Sequence, residues 1–543
     1  MNSNLDGVQE VAQGWLAGRL TRRQALGRLL GLGLTVPSAS AFLAACSGSS
    51  GGGGGGGQGQ ASTKPAVNIG IVQEPTSLDP TAQATASIAL LLRDNVYEGL
   101  VRLTPDLKVA PGLATSWDVS SDGRNFTFHM ASGVKWHDGS PLTAQDVKFS
   151  WDRAMNPSTN PINPHLDYWA PVQSVEAPDD RTVKVTLKQY SDNWLFHMTA
   201  GAACIVSSKS AAQNATSPVG TGPFKFAGWN RGASLSLTRN DAYWGTKARL
   251  KDVTFKFITD PNAMNNALKA GDIDAIGQVA GFEQVGAFKS DSRFKVLEGP
   301  PVGKIIVAMN SASKLLKVQR MRQAISLAIN RQAWINGILF GYGVPIGSHS
   351  VPNNGEPYYV DETAVNAFNS ARARQTLQEA MQEAGYTSSS IPALRLAQIS
   401  DFPYAVQGGA ILVSALKDLG LSVTVDQMPF ARWLQQVFGG SQDFDLTIIN
   451  HAEERDIGNY GNPKYYWHYD NPKVAQWLAQ ADAEPDATKR KQLYTQVQAQ
   501  LANDAVNGFV MSPKTLAVVV AKLQSYPVVS LSSPLILRDT YFS

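Results

Sequence analysis

Cysteine is almost missing from this chain: 543 residues carry two, Cys46 and Cys204. With the first used near the N-terminus, the body has no partner for an internal disulfide and must be held by its core alone. An excess of charge of one sign is missing too. The formal net charge is +3 with no long basic run, which argues against nucleic acid as a partner. The seven histidines are scattered, none at H-x-x-x-H spacing, and no nucleophile elbow joins a strand to a helix. No catalytic residue, metal or cofactor is therefore expected.

What is present begins with an unusual N-terminal arrangement. Arg22-Arg23 opens T-R-R-Q-A-L, and Leu26 to Ala45 contains no acidic residue and one further arginine, Arg28. A basic stretch, an apolar stretch and small residues before a processing point read as a secretory signal over residues 1–45. Gly27, Gly31, Gly33 and Pro37 weaken the same stretch as a permanent membrane helix. The pattern resembles a twin-arginine signal, with Ala25 where such signals carry a bulky apolar residue. L-A-A-C at Leu43 to Cys46 resembles a lipobox, which implies lipidation of Cys46 and an extracytoplasmic, lipid-anchored protein. The alternative is an uncleaved anchor helix with an incidental cysteine. A Gly/Ser-rich tether over 46–65 follows, including seven consecutive glycines, and would behave as a random coil.

After Ala66 the pattern alternates between strands and helices, an α/β style. V-N-I-G-I-V reads as a strand. Trp117/Val119 and Phe126/Phe128/Met130 flank a turn at Asp122-Gly123 as a hairpin, and T-V-K-V-T-L makes a further strand. Thr143 with Asp146 signals a capped helix start, Gly420 a helix end, and Leu516 to Ala521 a final strand. W-H-D-G, with His137 beside Asp138, reads as a turn, and G-T-G-P-F (Gly220 to Phe224) as a tight turn into a strand. The two acids of G-D-I-D-A (Gly271 to Ala275) read as solvated turn residues.

Seven stretches occur in order: S-L-D-P (Ser77 to Pro80), Y-E-G-L-V (Tyr97 to Val101), P-G-L-A-T-S-W (Pro111 to Trp117), G-V-K-W-H-D-G-S-P-L-T-A-Q-D-V (Gly133 to Val147), G-T-G-P-F, A-L-K-A-G-D-I-D-A (Ala267 to Ala275) and M-R-Q-A-I-S-L-A-I-N-R (Met321 to Arg331). Together they resemble the family 5 solute-binding proteins of ABC importers, the dipeptide/oligopeptide/nickel type. The resemblance implies a two-lobed type II periplasmic binding-protein fold with an inserted subdomain in lobe I. Lobe I is expected over 66–95, 215–300 and a C-terminal return at 505–543, the inserted subdomain over 96–214, and lobe II over 301–504. It also implies a monomer that captures a peptide-like or cationic small solute and delivers it to permease subunits in the membrane.

The resemblance further directs attention to a lobe II loop whose acid meets a ligand amine. Here F-D-L-T-I-I runs into N-H-A-E-E-R-D-I-G-N-Y, so Glu453, Glu454 and Asp456 are the candidates. The aromatic run beyond it adds Tyr460 and Trp467, as stacking faces or as core. A second loop, L-A-Q-I-S-D-F-P-Y-A-V-Q, offers Asp401, Phe402 and Tyr404 but no arginine to grip a peptide carboxylate. That argues against strict dipeptide specificity and leaves longer peptides, opine-like solutes and amino sugars open. From other classes, a ligand-sensing receptor component or a secreted peptide- or glycan-processing hydrolase remains, with Glu453/Glu454 as the local carboxylate pair.

Overall fold

The computed structural model describes residues 65–543 except 82–85, 157, 159–165, 280, 354, 453 and 530–532. The export segment, Cys46, nearly all of the tether and Glu453 lie outside the described residues. Among the described residues no helix is long and apolar enough to cross a membrane.

The period-two stretch at the start becomes strand Ala66–Ile71, with Val67, Ile69 and Ile71 buried. It runs parallel to Asp252–Phe257 and to Ala275–Ile276. Ser234–Arg239 and Phe224–Asn230 extend the sheet antiparallel beyond Asp252–Phe257. The same twelve-stranded sheet continues through a second group. In that group Leu394–Ile399 is parallel to both Val423–Met428 and Leu446–His451, and Lys304–Met309 pairs antiparallel with the latter.

One strand, Asn507–Val520, belongs to both groups. Its first half pairs with Lys304–Met309 and Gly343–Pro345, its second half with Phe294–Pro301 and Ala275–Ile276. The strand expected at Leu516 to Ala521 is only this second half. Residues 507–512 are buried throughout, so they show no alternation for the eye to catch. Where the strand passes from one group to the other, Pro513 to Thr515 are only half-buried. Beside them the chain crosses again at 301–304, with Gly303 at φ +80°. Two adjacent crossings between separately packed bodies are the geometry of a hinge.

Each body has its own core. One gathers Val67, Ile69, Phe224, Leu235, Phe255 and Val519, another Ile306, Leu327, Trp334, Leu396, Ile448 and Val510. A third core, built on Phe128, Trp151, Val183 and Trp194, sits in a four-stranded antiparallel sheet of its own. The expected hairpin is there, but Val119 is 47% exposed. Its strand, Ala114–Val119, lies at the sheet's edge, whereas helix Ala144–Met155 packs on Val172–Asp179 and Thr182–Leu187. That helix starts with the capping box the sequence advertises, Thr143 with Asp146.

The two motifs read as turns in sequence prove to be one clasp. His137 N–H donates to the Gly220 carbonyl at 2.9 Å, and Lys225 Nζ to the His137 carbonyl at 2.9 Å. The imidazole accepts from Gly220 N–H at Nδ1 (3.2 Å) and, through Nε2–H, donates to the Gly222 carbonyl (3.0 Å). Burial pushes this ring down to about 4, so it is neutral at ordinary pH. Glycine is required opposite it. A Cβ on Gly220 would lie 1.8 Å from the Val96 carbonyl oxygen, and one on Gly222 2.4 Å from that of Asn95. Cys204 is buried, and burial raises its thiol well above the ordinary range.

Candidate functional site

Three loops leave the carboxyl ends of the parallel strands Leu394–Ile399, Val423–Met428 and Leu446–His451. In open α/β sheets this is the end at which ligands bind. The first loop carries Asp401, Phe402 and Tyr404. Asp401 is exposed and accepts from the Phe430 N–H at 2.8 Å, tying the first loop to the second. Phe402 is half-buried at the N-cap of helix Pro403–Leu419; it stacks on Tyr404 (5.6 Å, 10°) and tilts against Phe430 (5.0 Å). The Tyr404 hydroxyl accepts from Asn450 N–H at 3.1 Å, and burial raises its pKa above the usual phenol range.

The third loop turns at Arg455, whose φ of +60° redirects the chain into the short 3₁₀ helix Asp456–Gly461. This delivers Asp456 into the interior. Its carboxylate, 6% exposed, meets the Lys304 ammonium and accepts from His349 Nε2 and His451 Nδ1, each at 3.1 Å. Lys304 also meets Glu356 at 2.8 Å. The far ring nitrogens are occupied as well, His349 Nδ1 by the Tyr460 hydroxyl (3.0 Å) and His451 Nε2 by that of Tyr466 (2.9 Å). Asn507 Nδ2 donates to the Tyr460 oxygen at 2.8 Å, so that tyrosine's own proton goes to His349 Nδ1. Both histidines thus turn an N–H toward Asp456.

The electrostatics follow from this packing. Burial would raise the Asp456 carboxyl, but His349 and the Lys304 ammonium outweigh it and hold it well below the usual carboxylate range. For Glu356 burial prevails over Lys304, and its pKa rises. Burial would lower Lys304, but Asp456 and Glu356 more than reverse this and raise it. His349, wholly buried, is pushed down to about 4 chiefly by burial. Three potential metal-ligand atoms, from His349, His451 and Asp456, lie within 4.8 Å of one another. To hold a cation they would have to shed both N–H donors beside a lysine ammonium.

The segment around Asp192, between strand Thr182–Leu187 and helix Trp194–His197, meets helix Ala487–Asn503. Asp192 meets Arg490 at 3.1 Å and accepts from the Tyr358 hydroxyl at 3.0 Å. Asp482 accepts from Ser191 Oγ (2.9 Å) and from Asn193 N–H (3.2 Å). Arg455 covers the Phe196 ring at 4.1 Å. A small cavity of about 30 Å³ remains between Asn193, Glu356, Tyr358, Arg455 and Tyr494. A larger groove of about 570 Å³ is lined by Trp334, Phe368, Arg374, Ile411 and Asp418. Part of that lining comes from the C-terminal half of helix Pro403–Leu419, away from the three loops.

Comparison with known proteins decides what this architecture belongs to. The family model for bacterial extracellular solute-binding proteins, family 5 (middle region), matches residues 108–473. The chain is a family 5 extracellular solute-binding protein. It is 27% identical over 488 residues to Glutathione-binding protein GsiB of Pectobacterium atrosepticum, covering 86% of this chain and 91% of the relative. Oligopeptide-binding protein OppA of Bacillus subtilis is 26% identical over 492 residues, with 83% and 88% covered. Among solved structures, the periplasmic binding protein AgaA of A. tumefaciens R10, in complex with agropinic acid, matches with TM-score 0.75 at 25% identity, covering 88% and 99%. The fold is thus the two-lobed type II periplasmic binding-protein fold, and members of the family bind solutes outside the cytoplasm rather than transform them.

In this solute-binding protein the residues singled out from sequence separate into two sets. Asp401, Phe402 and Tyr404 sit together at the strand ends. Glu454 is half-buried on the neighbouring loop. Asp456, Tyr460 and Trp467 form the interior set instead. Tyr460 and Trp467 are 1% and 0% exposed and stack on each other at 4.3 Å, so both rings are core. Sequence reasoning missed Lys304, His349, Glu356 and the Asp192–Arg490 pair. A signal existed only for Lys304, a lone lysine opening the wholly apolar run Ile305 to Met309.

Proposed function

We propose that this protein captures a peptide-like solute between its two lobes and hands it to the membrane permease of an ABC importer. The observation that carries this reading is the gathering of three loops at the carboxyl ends of one parallel strand group, facing a hinge made by two adjacent chain crossings. Phe402, Tyr404 and Phe430 supply an aromatic surface there, suited to apolar or aromatic side chains of the solute. Main-chain groups of an extended ligand would supply the remaining affinity in the manner of an added strand. Relatives named for glutathione and for oligopeptides support a peptide-like class. Lipidation of Cys46, with the glycine-rich tether as a leash, completes the reading and keeps the protein beside its permease. Native mass spectrometry of protein purified without refolding tests the solute class. A co-purified peptide-like mass is the expected result. No co-purified mass, together with no thermal shift from a peptide panel at millimolar concentration, would overturn it.

A further inference from the structure

The loop that should offer a carboxylate to a ligand already holds a cation, and the cation is the protein's own. Lys304 is 0% exposed, and its ammonium lies against Asp456 and, at 2.8 Å, against Glu356. The other Asp456 oxygen receives two imidazole N–H groups, each at 3.1 Å. Every group in this chain of contacts is fixed by another: Tyr460 and Asn507 hold His349, and Tyr466 holds His451. Glu356 nevertheless borders the small cavity between Asn193 and Arg455, so the cluster is adjacent to open space on that side.

We propose that Lys304 is a specificity-determining residue, whose ammonium neutralises the Asp456–Glu356 pair from inside and thereby excludes a ligand ammonium from this end of the cleft. The position of Lys304 makes this possible. It opens strand Lys304–Met309 directly after the crossing at Gly303, so its side chain rises from the hinge floor into the one place where both carboxylates converge. A buried carboxylate pair without a counter-charge would be strongly unfavourable. An ammonium group able to reach the place would therefore be stabilised there if it were vacant. With Lys304 present it is not vacant, and the solute is recognised by its apolar and main-chain groups.

Chemical rescue tests this independently of the solute's identity. In Lys304→Ala, the deleted propylamine can be replaced by propylammonium from solution. Tens of millimolar propylammonium should raise the Tm of the variant by about 3 °C or more, with no such effect on the wild type or on Lys304→Ala/Asp456→Asn. If Lys304→Ala does not fold alone, refolding in propylammonium becomes the assay, and recovery is the expected result. A variant that responds no more than the wild type, or is not recovered, overturns the proposal. So does stabilisation of the wild type by micromolar Ni²⁺ or Zn²⁺, since a metal would then hold the carboxylate in place of Lys304. A second arm rests on the peptide-like reading above: free and N-acetylated forms of a bound peptide should differ by less than about threefold in Kd, and a loss of tenfold or more on acetylation overturns it. A panel in which no peptide binds counts against the peptide reading alone and leaves the rescue result standing.

Discussion

Replacing His137 by glutamine should remove a defined part of the protein's sensitivity to acid. In the folded protein the ring is a donor at Nε2 to the Gly222 carbonyl and an acceptor at Nδ1 from Gly220 N–H. A second proton at Nδ1 would set one N–H against another in a largely buried site, which is why burial holds the ring down at about 4 against an ordinary value of 6.5. The unfolded chain takes up that proton near 6.5 and the folded one only near 4. Stability is therefore intact above pH 6.5 and is lost as the pH falls toward 4. The shift of 2.5 corresponds to about 3 kcal/mol over the full window, and to about 2.5 kcal/mol between pH 7 and 4.5. His349 acts in the same direction, and Asp94, raised to about 6 by burial, acts oppositely. The comparison of variant with wild type cancels both. Glutamine retains a donor for the Gly222 carbonyl without titrating. Urea unfolding followed by tryptophan fluorescence at pH 7 and 4.5, with equal denaturant slopes as a control, measures the difference. The stability gap between wild type and His137→Gln should move by about 2.5 kcal/mol in the variant's favour on acidification. A gap constant to within about 0.5 kcal/mol would refute the assigned tautomer and burial.

Other substitutions probe the remaining joints. Gly220→Ala sets a Cβ 1.8 Å from the backbone carbonyl of Val96 and should destabilise by about 3 kcal/mol or more, read as a loss of soluble protein or a shifted urea midpoint. Asp192→Asn weakens the pair with Arg490, whose side chains are 12% and 9% exposed, and should cost the contact between the Asp192 segment and helix Ala487–Asn503 about 1.5–3 kcal/mol. Solute should then dissociate tenfold faster or more in stopped-flow measurements. Phe402→Ala removes the ring stacked on Tyr404 and should weaken aromatic-containing peptides by about tenfold while leaving polyalanine peptides within about twofold, measured by calorimetry.

The elements most legible in sequence were those with local causes. Thr143 and Asp146 declare a helix start, Gly420 at φ +99° a helix end, and V-N-I-G-I-V an alternating strand. Each is decided within a few residues by capping, positive φ or period-two burial. What misled was long-range. Asp274, read as solvated, is 6% exposed because its carboxylate accepts from Asn68 N–H at 2.9 Å, across 206 residues of sequence. Asn507–Val520 was legible only from Leu516 because Ser512-Pro513-Lys514-Thr515 interrupt its apolar run where it passes between the two strand groups, and the half before them is buried without alternation.

The candidate site divides in the same way. By itself the sequence determined that acids and aromatics would follow the ends of strands Leu394–Ile399 and Leu446–His451, and that tight glycine turns would stand at 137–139 and 220–222. These follow from turn chemistry and from the order of apolar runs, which act over short distances. Only the tertiary structure decided that His137 and the Gly220–Gly222 turn are one clasp, and that Asp192 meets Arg490. It alone decided that the Asp456 carboxylate is already answered by Lys304. Coulomb and hydrogen-bond partners are chosen by proximity in space, and no spacing along the chain records that Lys304, 152 residues before Asp456, shares its pocket.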